Sequence, residues 1–155
     1  MSEDGEEDGE EGGSEVAGGP LDVTTLQLRA RRADGHPLVA SSRFEPDAIS
    51  PRRLVLILDD RQYPGSVDAA RIDIRLYEGG AYSVHYLERR GDRRWECRWD
   101  RHRKPGAPTA HVHPPPDAGE PVESSPLQTA HHLEVLFWVL DWTADRVEGL
   151  HESVE

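Results

Sequence analysis

From Arg71 to Trp99 the chain alternates polar and apolar residues, and two glycine turns are the main interruptions. Ile72, Ile74 and Leu76 alternate with Arg71, Asp73 and Arg75 before Gly79-Gly80 turns the chain. Tyr82, Val84 and Tyr86 then share one face while Ser83, His85 and Leu87 share the other. Gly91-Asp92 leads into a third strand, with Trp95, Cys97 and Trp99 on one face and Arg94, Glu96, Arg98 and Asp100 on the other. Successive side chains of a strand point to opposite faces, so a period of two marks a sheet buried on one side. Turns this short join antiparallel neighbours, and three such strands in sequence make a meander.

The flanking elements are less sharply marked. Thr24–Ala30 reads as a first strand that ends at a turn, Asp34-Gly35-His36-Pro37, and Leu54–Leu58 as an apolar central strand. Ser125-Pro126-Leu127-Gln128 has the form of a capping box with proline at the first helical position. A helix is therefore predicted over 126–148, stopping at Gly149. At 100° per residue Leu133, Leu136, Phe137, Leu140, Ala144 and Val147 share the face assigned to the sheet. Glu134, Asp141 and Asp145 mark the solvent side. A second apolar stripe, Val135, Trp138, Val139 and Trp142, is left over, and it predicts a partner surface or cover by residues 105–124. The expected fold is α+β: an antiparallel sheet of four to six strands in a meander, with one long C-terminal helix packed on one face.

Residues 1–20 hold eight of the thirty acidic residues and no basic one, too little apolar surface to offset the entropy of ordering. The expected organisation is a disordered acidic tail, 1–20, followed by one domain over 21–155. That tail lacks the cationic start and apolar stretch of a secretory signal, and no run has transmembrane length. A single cysteine excludes an internal disulfide and fits a reducing compartment, so a cytoplasmic protein without membrane partners is expected. Seventeen of the eighteen basic residues are arginine, and the formal charge is −12. Such a surface suggests a halophilic protein, kept soluble by net charge; GC-rich codon usage with an acidic tail is the alternative.

Against that acidity stands one positive block, residues 89–104, and it overlaps the stretch Trp95–His113. After Asp100 come Arg101, His102, Arg103 and Lys104, then a proline- and glycine-rich turn, then His111-Val112-His113. A charge run can be a solvated face; the functional reading is a patch for phosphate-bearing partners such as RNA, since arginine offers paired donors to phosphate. His111-x-His113 points two rings to one side, which suits metal ligation with His102 and Asp100 completing the set. No cysteine pair or HExxH motif supports that, so neither metal nor cofactor is assigned. The candidate catalytic residues are Arg98, Asp100, His102, His111 and His113. Imidazoles titrate near neutral pH, and an arginine can stabilise a phosphorane, which is what metal-independent RNA cleavage requires. His131-His132 reads as surface, His85 as either core or a neighbour of the site, and Cys97 as a buried small hydrophobe.

The order Tyr82…His85-Tyr86, Arg98-Trp99-Asp100-Arg101, His111-Val112-His113 resembles the TumE family of toxin–antitoxin toxins over roughly residues 44–148. That family carries an RYDN-like strand end, a histidine soon after, and an HxH element before a C-terminal helix. Here Trp99 stands for the tyrosine, Arg101 for the asparagine, and His102 comes early. The resemblance implies a toxin whose partner is a small helix-turn-helix antitoxin, with Arg98, Asp100, His102, His111 and His113 as the motif positions. On our reading the antitoxin would grip Val135, Trp138, Val139 and Trp142, the stripe that could otherwise support a homodimer. A non-catalytic interaction protein using that stripe and the basic patch is the alternative.

Overall fold

A computed structural model describes residues 20–102 and 109–154. The elements are α1 (Val23–Asp34), β1 (Val39–Glu45), β2 (Arg53–Leu58), β3 (Ala69–Leu76), β4 (Tyr82–Arg90), β5 (Arg93–Arg101), β6 (Ala110–His113), β7 (Glu123–Ser124) and α2 (His132–Val154). All seven strands lie in one sheet in sequence order, each antiparallel to the next. The α+β meander is as predicted, with one strand more than the upper expectation. Expectations for the acidic tail fall on residues 1–19, which lie outside the described residues. No described helix is long and apolar enough to cross a membrane.

The predicted register of β5 holds: Cys97 and Trp99 are buried and Trp95 packs against the core, so Arg94, Glu96, Arg98 and Asp100 face the other way. The helices cover the first of these faces and leave the second, which we term the open face, without a helical layer.

Two sequence expectations fail locally. Thr24–Ala30 lies in a helix, not a strand: Asp22 caps it by accepting from Thr25 N at 3.1 Å, and Leu26, Arg29, Ala30 and Ala33 are buried at helical spacing. In the second, α2 starts at His132 and runs through Gly149 to Val154. Ser125 instead forms a turn, its Oγ accepting from Leu127 N at 3.0 Å, and Leu127 joins the core.

The phase of α2 also corrects the partner surface. Val135, Leu136, Val139, Leu140, Val147 and Leu150 are buried, and Trp138 and Trp142 pack on the sheet, whereas Phe137 and Ala144 are exposed. Trp142 meets the rings of Trp99 at 4.8 Å and Tyr86 at 5.0 Å, both edge-on, and Trp138 meets Trp99 at 5.6 Å. Tryptophan has the most apolar area to remove from water, so the helix rotates to bury those two rings rather than Phe137. Of the stripe assigned to an antitoxin or a second copy, Val135 and Val139 are core, and Trp138 and Trp142 are partly buried against it.

At the same contact Arg146 lies 3.5 Å over the Trp95 ring and donates twice to the buried Glu88 carboxylate, at 2.7 and 2.8 Å. Glu88 also accepts from the Tyr86 hydroxyl at 2.6 Å, so the charge buried under the helix is neutralised and hydrogen-bonded.

Candidate functional site

The open face gathers the candidate residues because β4, β5 and β6 pair in register. His113 lies opposite Arg98 and His111 opposite Asp100, while on the far side of β5 His85 meets Arg98 and Ser83 meets Asp100. A strand exposes every second residue on one face, so His111-x-His113 and Arg98-x-Asp100 form a two-by-two block. Val112, between the histidines, points into the core against Trp99. His102 follows β5, and its ring stands 5.0 Å from that of His111, nearly perpendicular to it. All five predicted residues therefore converge.

Hydrogen bonds and ion pairs link the block. Arg98 Nε donates to Asp100 Oδ2 at 3.1 Å, and Arg98 Nη2 lies 2.9 Å from His113 Nε2. His113 Nδ1 lies 3.3 Å from Glu120 Oε2, so each ring nitrogen faces a carboxylate, and Nε2 faces the Arg98 guanidinium as well. Asp100 Oδ2 is also 3.1 Å from His113 Nε2 and 3.7 Å from His111 Nε2. Burial pushes the Asp100 pKa up, but the contact with His113, the Arg98 charge and Ser83 outweigh it and hold the carboxyl below its ordinary value. Asp100 is thus a buried anion that orients its neighbours.

Exposure divides the block. The Arg98 side chain is 36% exposed, that of His113 only 7%, and His111 is fully buried. Arg98 and the half-buried His102 are the parts open to a large ligand, with His113 just behind. Next to them, His85 Nε2 contacts Glu96 Oε1 at 2.9 Å; burial lowers the His85 pKa against the raising effect of Glu96, favouring the neutral ring. Of the two sequence readings of His85, core or neighbour of the site, its pairing with Arg98 favours the second; Ser83 and Glu120 are the neighbours that sequence reading did not assign, since strand pairing and loop closure bring them in. Burial pushes the Cys97 thiol up to about 12, which leaves it inert as expected.

Asp100, His111 and His113 also place one ligand atom each within 4.8 Å of one another, a spacing a metal ion could use. The Arg98 guanidinium, 2.9 Å from His113 Nε2, would repel a cation held there. With that arginine beside it, the donor set is a poor fit for a metal centre.

Residues 28–146 match the family model described as toxin TumE, which covers most of the chain. Neither a search of curated proteins nor one of solved structures returned a match.

Proposed function

The chain belongs to the TumE toxin family, and from that premise we propose that this toxin of a toxin–antitoxin pair acts on RNA through the Arg98 block. One observation carries the reading: a part-exposed arginine is held by a buried carboxylate, and its Nη2 lies 2.9 Å from a histidine Nε2. Metal-independent cleavage of RNA needs a base to take the 2′-hydroxyl proton, a cation on the phosphate and an acid at the 5′-oxygen. His113 Nε2 is the base; Arg98 shifts from it to a phosphate oxygen as the substrate arrives. The 2′-oxygen attacks phosphorus, the bond to the 5′-oxygen breaks, and His102 supplies the proton to the leaving oxygen. The products are a 2′,3′-cyclic phosphate and a 5′-hydroxyl. Asp100 and the fully buried His111 orient the other groups and touch no substrate.

The partner in this reading is a small helix-turn-helix antitoxin, supported by family membership alone. An RNA-acting toxin works in the cytoplasm, where the unpaired Cys97 is at home. A second, non-catalytic reading draws on the burial of His111 and His113, under which the block is a structural network in an RNA- or protein-binding face.

Purified protein incubated with single-stranded RNA separates the two. Arg98→Ala and His113→Gln are each expected to lower the cleavage rate by about 100-fold or more while leaving the folded fraction unchanged. RNA that stays intact with the active-sequence protein, under conditions where it binds, would leave the non-catalytic reading in place.

A further inference from the structure

At the other end of the open face four arginines from four strands surround a cleft of ≈ 230 Å³: Arg43 of β1, Arg71 of β3, Arg89 of β4 and Arg94 of β5, over a floor that includes Ile57 and Leu87. Arg43 is paired with Glu45 at 2.7 Å and Arg71 with Asp73 at 3.2 Å. Arg89 and Arg94 are different. They are directly opposite on neighbouring strands, both exposed, and neither has an ion pair among the described residues. Like charges directly opposite on a sheet oppose its stability, so the fold gains nothing from this pair. The next pair toward the turn, Arg90 and Arg93, is also directly opposite, but there Arg90 is paired with Glu88 at 3.3 Å.

We propose that this cleft is a second phosphate-anchoring site, which holds single-stranded RNA downstream or upstream of the phosphate bound at Arg98; the proposal rests on the RNA reading above. Arg94 and Arg98 are on the same face of β5, four residues and so about 13 Å apart, and the carboxylates between the two sites are already engaged. Asp73 is held by Arg71 and Arg53, and Glu96 by His85. A ligand that reaches both sites carries regularly spaced negative charge, and single-stranded grooves of this scale take roughly four nucleotides or more. A single strand rather than a duplex fits, because in-line attack by the 2′-oxygen needs a backbone free to rotate. The floor is aliphatic, without an aromatic ring to stack a base, so the cleft reads backbone and not sequence.

The test uses the full chain, fluorescent oligouridylates of two and twelve nucleotides, and polyglutamate as a polyanion without phosphate. Arg89→Glu with Arg94→Glu is expected to weaken twelve-nucleotide binding by about tenfold or more and to reduce its salt slope by about one. Binding and cleavage of the dinucleotide stay unchanged, since it reaches only Arg98. Both positions are exposed, and Arg94→Gln alone, with a smaller loss in the same direction, serves if the double variant misfolds. Unchanged twelve-nucleotide binding in these variants, with Arg98→Ala still impaired, would overturn the cleft and leave the RNA reading standing. No RNA binding by the unaltered protein would overturn both. Polyglutamate bound as tightly as RNA would overturn the assignment of phosphate as the ligand.

Discussion

At the scale of single residues the least expected side chain is Arg29. It is completely buried between α1 and the sheet, and none of its guanidinium nitrogens has a hydrogen-bond partner among the described residues. Burial lowers its pKa to about 10, against the weaker raising influence of Tyr82 and Asp22. A buried charge without a partner opposes folding, so Arg29→Met, which keeps the unbranched apolar stem, is expected to stabilise the fold by about 1–3 kcal/mol. Urea unfolding with an unchanged slope would measure it; a loss of stability would mean that the guanidinium has a partner in solution. Nothing in the sequence marks this arginine, because arginine on a helix is ordinarily exposed. The candidate site residues were legible for the opposite reason. Four of the five sit in two short stretches whose spacing, Arg98-x-Asp100 and His111-x-His113, already places each pair on one strand face, and His102 follows closely after the first. Residues brought to the same block from farther away, Ser83, His85 and Glu120, required the pairing of β4 with β5 and the return of the loop after β6.

At the scale of elements, legibility followed the uniqueness of the period. The strands from Arg71 to Trp99 fit only a repeat of two, and they form as read. Residues 24–30 fit two periods at once: Thr24, Leu26, Leu28 and Ala30 alternate, but Leu26, Arg29, Ala30 and Ala33 make a helical stripe, and the Asp22 cap decides for the helix. Strand β1 was missed because only Val39 is buried along it, so it carries no apolar alternation. The arginine cleft was invisible for a different reason, since its four arginines come from four strands and share no local pattern. Helix α2 was legible as an element but not in phase, its apolar arc being wide enough to face the sheet in two ways. The phase can be measured. Trp142→Ala is expected to cost about 3–5 kcal/mol, as for other buried large aromatics. Phe137→Ala, at a site 43% exposed, is expected to cost about 1 kcal/mol or less. The orientation read from sequence, with the tryptophan stripe left for a partner, requires the reverse order, so the two unfolding curves decide between them.

Across the whole molecule, charge is sorted by surface. The open face carries arginines from β1, β3, β4 and β5, and the outward side of α2 carries Glu134, Asp141, Asp145 and Glu148, all exposed. The total is nonetheless −12, and self-repulsion of that net charge opposes the compact state. The pair between Glu88 and Arg146 is sheltered under the helix, where added salt screens weakly, while repulsion between surface carboxylates is screened within about 8 Å at physiological ionic strength. Raising potassium chloride from about 0.05 M to about 1 M is therefore expected to raise the melting temperature. Screening has a characteristic shape: most of the rise comes in the first few tenths of a molar, where the Debye length shortens fastest. A rise that continues in proportion to salt into the molar range would instead indicate exclusion of salt from the surface, the behaviour that the halophilic reading of this arginine-rich, lysine-poor chain requires. A melting temperature that falls with salt would show that exposed ion pairs such as Arg43 with Glu45 and Arg61 with Asp59 outweigh the net repulsion, and would remove the physical basis for that reading.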